Sequence, residues 1–148
     1  MALRFLALIG TMLALALPAQ AQVSAQVSGQ VSAADRTAIR DVIERQVEAF
    51  RRDDGAAAFG YASPDIQRLF GTAETFMDMV RQGYRPVYQP QVFEFREIVT
   101  LDGMVPQKVH VIGPDGRPVT AFYPMAQQPD GSWRIEGCTL RAPEDHQA

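Results

Sequence analysis

Glu97 follows Phe93 and Phe95 on one parity of a period-two run, VFEFREIVTL, from Val92 to Leu101. If that face is enclosed, the carboxyl is held among aromatic rings. Desolvation then raises its pKa toward neutrality and fits it for general-base proton transfer of the isomerase or dehydratase kind. Its neighbour Arg96 argues the other way, since a carboxylate beside a guanidinium near a strand end is ordinarily a solvated charge. The tyrosines Tyr61, Tyr84, Tyr88 and Tyr123 are the other groups able to move a proton or orient a neutral ligand. A half-buried phenol needs a partner for its hydroxyl. His110 alternates with Val109 and Val111 and shares a face with Lys108, the pattern of an exposed strand histidine. His146 lies in the charged tail after Pro143, so the two histidines do not converge.

Several chemistries lack their residues. No His, Cys, Asp or Glu cluster has metal-ligand spacing, no serine sits in a nucleophile elbow, and no glycine-rich strand-to-helix loop is set to hold phosphate. The reading calls for no metal and no cofactor. Cys138 is the single cysteine, so no intramolecular disulfide can form. Alternation from Trp133 and Ile135 places it outward, whereas a bulge at Gly137 returns Cys138 and Leu140 to the core face. The bulge predicts a buried, inert thiol; plain alternation predicts an exposed one open to oxidation or intermolecular pairing.

These side chains depend on elements whose signals are local. Arg117–Leu140 reads as a hairpin: Val119, Ala121, Tyr123 and Met125 alternate with polar or outward residues, Pro129-Asp130-Gly131 makes the turn, and Trp133 and Ile135 open the return. With Val92–Leu101 and Val105–Ile112, the spans Val119–Gln127 and Ser132–Leu140 predict a four-stranded antiparallel meander. Its joins are Asp102-Gly103, Pro114-Asp115-Gly116 and Pro129-Asp130-Gly131. Upstream the period is helical. Ser32-Ala33-Ala34-Asp35 fits a capping box, and Ile39, Val42, Ile43, Val47 and Phe50 form one stripe. Asp41/Arg45 and Glu48/Arg52 are spaced as ion pairs on the wet side. A short helix over Ala56–Tyr61, a third opened by Ser63-Pro64 and ended by Gly71, and a fourth from Thr72 to Gly83 follow. Pro86 and Pro90 predict a non-helical crossing over Tyr84–Pro90. Helices first and strands after define an α+β domain with helices packed on one face of the sheet.

The 148 residues, 47% hydrophobic, suffice for one core and not two. Arg4, the apolar run Phe5–Leu17 and Ala19-Gln20-Ala21 read as a cleaved export signal, and the run is shorter than the roughly 18 residues of a membrane anchor. Gln22–Ala33 repeats QVSA, QVSG, QVSA, a low-complexity lead with nothing to bury. The reading divides the chain into a signal peptide at 1–21, a lead at 22–33, one α+β domain at 34–141 and a disordered tail at 142–148. A periplasmic or secreted location follows. The formal charge of −3 becomes −4 once Arg4 is removed, mildly acidic with no basic stripe. Nucleic acid and, after cleavage, membrane are therefore not expected partners.

The order of elements resembles the nuclear transport factor 2-like, or cystatin-like, cone. More narrowly, Ala49-Phe50 with Asp53, Leu69-Phe70-Gly71-Thr72, Phe76-Met77 with Met79-Val80, Gly83-Tyr84, Pro86-Val87-Tyr88 with Pro90, Gly113-Pro114-Asp115-Gly116 and the terminal PDGSWRIEGC are similar to an exported bacterial domain family of unknown function. The resemblance covers about 35–140 and carries no activity or catalytic residue. It implies a curled sheet with the first helix across its concave side and a pocket between them. Phe93, Phe95, Val105, Val109 and Tyr123, together with the first-helix stripe, are then candidates to face the pocket or to fill it as core, with Glu97 on the same parity and Tyr61, Tyr84 and Tyr88 at a polar rim. The functional expectation is a non-enzymatic module for a small apolar ligand or a protein partner. The alternatives are an isomerase- or dehydratase-type enzyme using Glu97 or a tyrosine, and a homodimer formed through the exposed sheet face.

Overall fold

The computed structural model describes residues 31–100 and 104–143. The expected signal peptide, nearly all of the repetitive lead, the Asp102-Gly103 join and the end of the tail with His146 lie outside the described residues. Five helices, α1 (Ala33–Arg51), α2 (Gly55–Gly60), α3 (Pro64–Phe70), α4 (Ala73–Gly83) and α5 (Arg85–Tyr88), precede five strands. The strands are β1 (Val92–Ile98), β2 (Pro106–Ile112), β3 (Pro118–Gln127), β4 (Trp133–Ile135) and β5 (Thr139–Arg141). No described helix is long and apolar enough to cross a membrane.

The helix starts are set by short polar side chains. Ser32 accepts from Asp35 N at 3.0 Å, Asp54 from Ala57 N at 3.1 Å, Ser63 from Ile66 N at 3.2 Å and Thr72 from Thr75 N at 3.2 Å. Each satisfies an amide that the first helical turn leaves unpaired. Gly71 ends α3 at φ +76°, in the left-handed region where a Cβ is penalised. The crossing over Tyr84–Pro90 differs from expectation, because α5 forms there. Pro86 falls in its first turn, where a proline nitrogen forfeits no helical bond. Glu48 also differs: its partner is Arg51, one turn away, while Arg52 reaches Asp54 at 3.9 Å.

The sheet is antiparallel throughout, in the order β1-β2-β3-β4, with β5 also on β3. The expected fourth strand is split in two. Met125 pairs with Ile135 and Phe122 with Thr139, so Tyr123 and Pro124 face three residues, Glu136, Gly137 and Cys138. This is the bulge the glycine signalled, and it puts Leu140 opposite buried Ala121. Beyond β4, the segment Tyr61–Ser63 lies along the strand edge: Ile135 N donates to Tyr61 O at 2.9 Å and Ser63 N to Ile135 O at 2.8 Å. Arg134 adds a bond to the carbonyl of Gly60.

Two apolar clusters hold the layers together, and α1 runs through both. Its first half, with Ile39 and Ile43, packs against Val109, Val111, Ala121, Tyr123, Met125, Trp133 and Ile135 of the sheet. Its second half, with Ala49 and Phe50, packs against Ala58 of α2 and Phe76, Met77 and Val80 of α4. Each Ile, Val, Phe or Met among them contributes about 1.5–3 kcal/mol when fully buried. Gln46 stands between the two halves, 3% exposed, its amide donating to Ala58 O at 3.1 Å.

Candidate functional site

A cavity of about 330 Å³ opens where the two clusters fail to close on each other. The helical side supplies Phe50, Phe76, Met79 and Val80; the sheet side supplies Tyr123, Ile135 and the Gly137-Cys138 bulge; Val87, Tyr84 and Gln46 lie between. α3 completes it with Ile66, Leu69 and Phe70. This helix buries no residue of its own, and Leu69 remains 73% exposed. The volume is at the lower end of the range for small-molecule sites, and such sites are mostly apolar with a few placed polar groups. The polar groups here are the Gln46 amide, the Tyr84 and Tyr123 phenols and the Cys138 thiol.

The lining contains no Asp, Glu, Lys, Arg or His. Burial pushes the Cys138 thiol up to about 12, only partly offset by the neighbouring Tyr123 hydroxyl. Cys138 as a residue is half-buried; its thiol, the part that titrates, is desolvated. Burial likewise raises the Tyr123 phenol well above its ordinary value, with Cys138 adding to the effect. Both groups stay neutral at physiological pH. The Tyr123 hydroxyl is buried and, apart from its weak interaction with the Cys138 thiol, has no hydrogen-bond partner in the protein.

Of the residues singled out in the sequence, the structure brings Tyr123, Tyr84, Cys138 and Phe50 to the cavity and distributes the others. Phe93 and Phe95 do share the sheet's core face. They meet edge to face with centroids 5.6 Å apart, and Arg40 lies over the Phe95 ring at 5.7 Å, outside the lining. Val109 is wholly core, and Val105 is half-buried just before β2. Tyr61 packs against the sheet cluster behind the β4 edge. Tyr88 donates to Asp53 Oδ1 at 2.7 Å, beside a 2.9 Å bond from Arg81, and so joins α4 and α5 to the end of α1. Asp53 holds φ 55° there, unusual for a residue with a Cβ.

Glu97 does not share the face of Phe93 and Phe95. Phe95 pairs with Val109 but Ile98 with Gln107, so Arg96 and Glu97 together oppose Lys108. The bulge reverses the parity, and Glu97 leaves the sheet on the solvent side, 3.4 Å from Lys108. Its carboxyl is held below the usual range by its own backbone amide first, with Lys108 and Arg96 adding smaller effects that together with it outweigh desolvation. That is the opposite of what a general base at neutral pH requires. His110 is half-buried on the same outer face, opposite Glu94 and Thr120. Among the described residues no group of three or more His, Cys, Asp or Glu could hold a metal ion.

Sequence reasoning reached Phe50 through the first-helix stripe but missed Phe76 and Val80 of the lining, because they carry ordinary core spacing. It also missed Gln46, although a signal existed: Gln46 lies three residues after Ile43 and four before Phe50, on the buried stripe.

The geometry defines an α+β domain with helices packed against an antiparallel sheet and a neutral, largely apolar cavity at the seam. Residues 32–148 match a family described as a domain of unknown function (DUF4864), and the chain belongs to that family. No curated protein and no solved structure matches it.

Proposed function

We propose that this chain is an exported, non-enzymatic domain that holds one small apolar molecule in the cavity between its two clusters. The observation that carries the reading is the cavity itself, apolar on nearly every side and flanked by a helix with no fully buried residue. Export is supported by the basic, apolar and small-residue order of the first 21 positions, which places the domain in the periplasm or outside the cell. The long α1 laid across an antiparallel sheet favours the nuclear transport factor 2-like cone as its architecture. The enzyme alternative loses Glu97, which faces solvent with a depressed pKa.

Native mass spectrometry of the mature protein, Gln22–Ala148, purified from its own compartment tests this reading. A co-purifying small molecule that is lost when Val80→Phe narrows the cavity is the expected result. A protein that arrives empty and takes up no apolar compound overturns it.

A further inference from the structure

We propose that the occupant is an uncharged, largely apolar molecule carrying one hydrogen-bond acceptor, and that the hydroxyl of Tyr123 donates to that acceptor. The inference rests on the cavity being a binding site and adds the class and orientation of its ligand. Tyr123 is 1% exposed, yet its hydroxyl finds no conventional hydrogen-bond partner in the protein. An unmade hydrogen bond of this kind is a deficit that an arriving carbonyl or ether oxygen removes. The neighbouring Cys138 thiol is too weak an acceptor to do so. The Gln46 amide nitrogen already gives one of its two N–H groups to Ala58 O. Because burial keeps the phenol protonated, it enters the bond as a donor.

Space exists at this end of the cavity. A Cβ placed on Gly137, beside Cys138, meets nothing within 4 Å. The second orphan polar atom of the core, Gln107 Oε1, does not line the cavity and bears on no ligand. Charge is excluded by the lining: with no ionised side chain present, a carboxylate or ammonium would be stripped of water with no counter-charge to replace it. The body of the ligand lies against Phe50, Phe76 and Val80.

Three isosteric probes separate the possibilities: 2-isopropenylnaphthalene, 2-acetylnaphthalene and 2-naphthoate, titrated by fluorescence into the wild-type protein, Tyr123→Phe and Tyr61→Phe. The ratio of hydrocarbon to ketone Kd is expected to fall about tenfold or more from wild type to Tyr123→Phe, and to hold in Tyr61→Phe. Naphthoate is expected to bind weakest. Tyr123→Phe keeps the ring, so its thermal midpoint should equal or exceed that of wild type; a clear drop shows that the hydroxyl is already bonded in the free protein and overturns the proposal. A ratio unchanged by Tyr123→Phe, or a preference for naphthoate, also overturns it while leaving the cavity a binding site. Failure of all three probes to bind removes the binding site as well.

Discussion

The indole Nε1 of Trp133 donates to Oδ1 of Asp35 at 3.0 Å, joining residues 98 positions apart. The same carboxylate accepts from the Ser32 hydroxyl at 2.7 Å. One side chain thus starts α1 and fastens it to β4, and its own carboxyl is held below the ordinary value, by Ser32 first and Trp133 second. Asp53 is lowered by Tyr88 and then Arg81, and Asp130 by Ser132.

A depressed carboxyl stabilises the fold above its unfolded pKa and loses that contribution as pH falls through the folded value. Urea midpoints are therefore expected to be flat from pH 7 to about 5 and to fall below about pH 4. In Asp35→Asn the midpoint should start lower and converge on wild type in acid. A constant gap from pH 7 to pH 3 would show that the charge on Asp35 does not stabilise the fold.

Glu97→Gln is expected to change stability by less than about 0.5 kcal/mol, since its pair with Lys108 is largely solvated. Gln107→Ala should cost about 2 kcal/mol or more, for two reasons. Gln107 is fully buried, and its amide donates to Arg96 O at 2.7 Å, inside the bulge that turns Glu97 outward. Equal effects from the two substitutions, measured by chemical denaturation, contradict this account of the bulge.

Cys138 should resist iodoacetamide in the native protein at pH 8, because a thiol with its pKa at about 12 is almost entirely protonated and is enclosed as well. Labelling is expected to become fast only through the unfolding transition in urea. Stoichiometric labelling within minutes under native conditions would place the thiol at the surface.

Two glycines should separate cleanly. Gly131 closes the β3–β4 turn at φ +86°, where Gly131→Ala costs about 1–2 kcal/mol. Gly137 has no positive φ and open space at its Cβ position, so Gly137→Ala should be neutral or stabilising by up to about 1 kcal/mol. A larger loss at Gly137 than at Gly131 in thermal denaturation contradicts this assignment.

The contrast between those glycines shows what could be read from sequence. Helix caps, turns and the Gly137 bulge were legible because each is settled within about five residues: Ser32 by Asp35, Ser63 by Ile66, Asp130 by Ser132, whose amide donates to it at 2.9 Å. Glu97 was misplaced because its orientation depends on Gln107, which stabilises the β1 bulge from the neighbouring strand. Pro86 was read as a helix breaker because its position within a helical turn is set by α5 packing Val87 into the sheet cluster. A pocket between α1 and the sheet was expected from the resemblance, but where the gap falls was not legible, for a related reason. Phe50, Phe76 and Val80 are spaced like any core residues, and only the tertiary arrangement shows that the two clusters leave a gap.

The Tyr61–Ser63 segment along β4 has a consequence for how copies of this chain meet in a crowded compartment. A bare strand edge is a template on which another chain can lay a strand, the first step toward cross-β aggregates. Here that template is already occupied beside β4. At the opposite end of the sheet, β1 carries Glu94, Arg96 and Glu97, all exposed. Any edge-to-edge addition there must set charged side chains against one another, so the sheet is guarded by charge on that flank and, at Ile135, by backbone on the other.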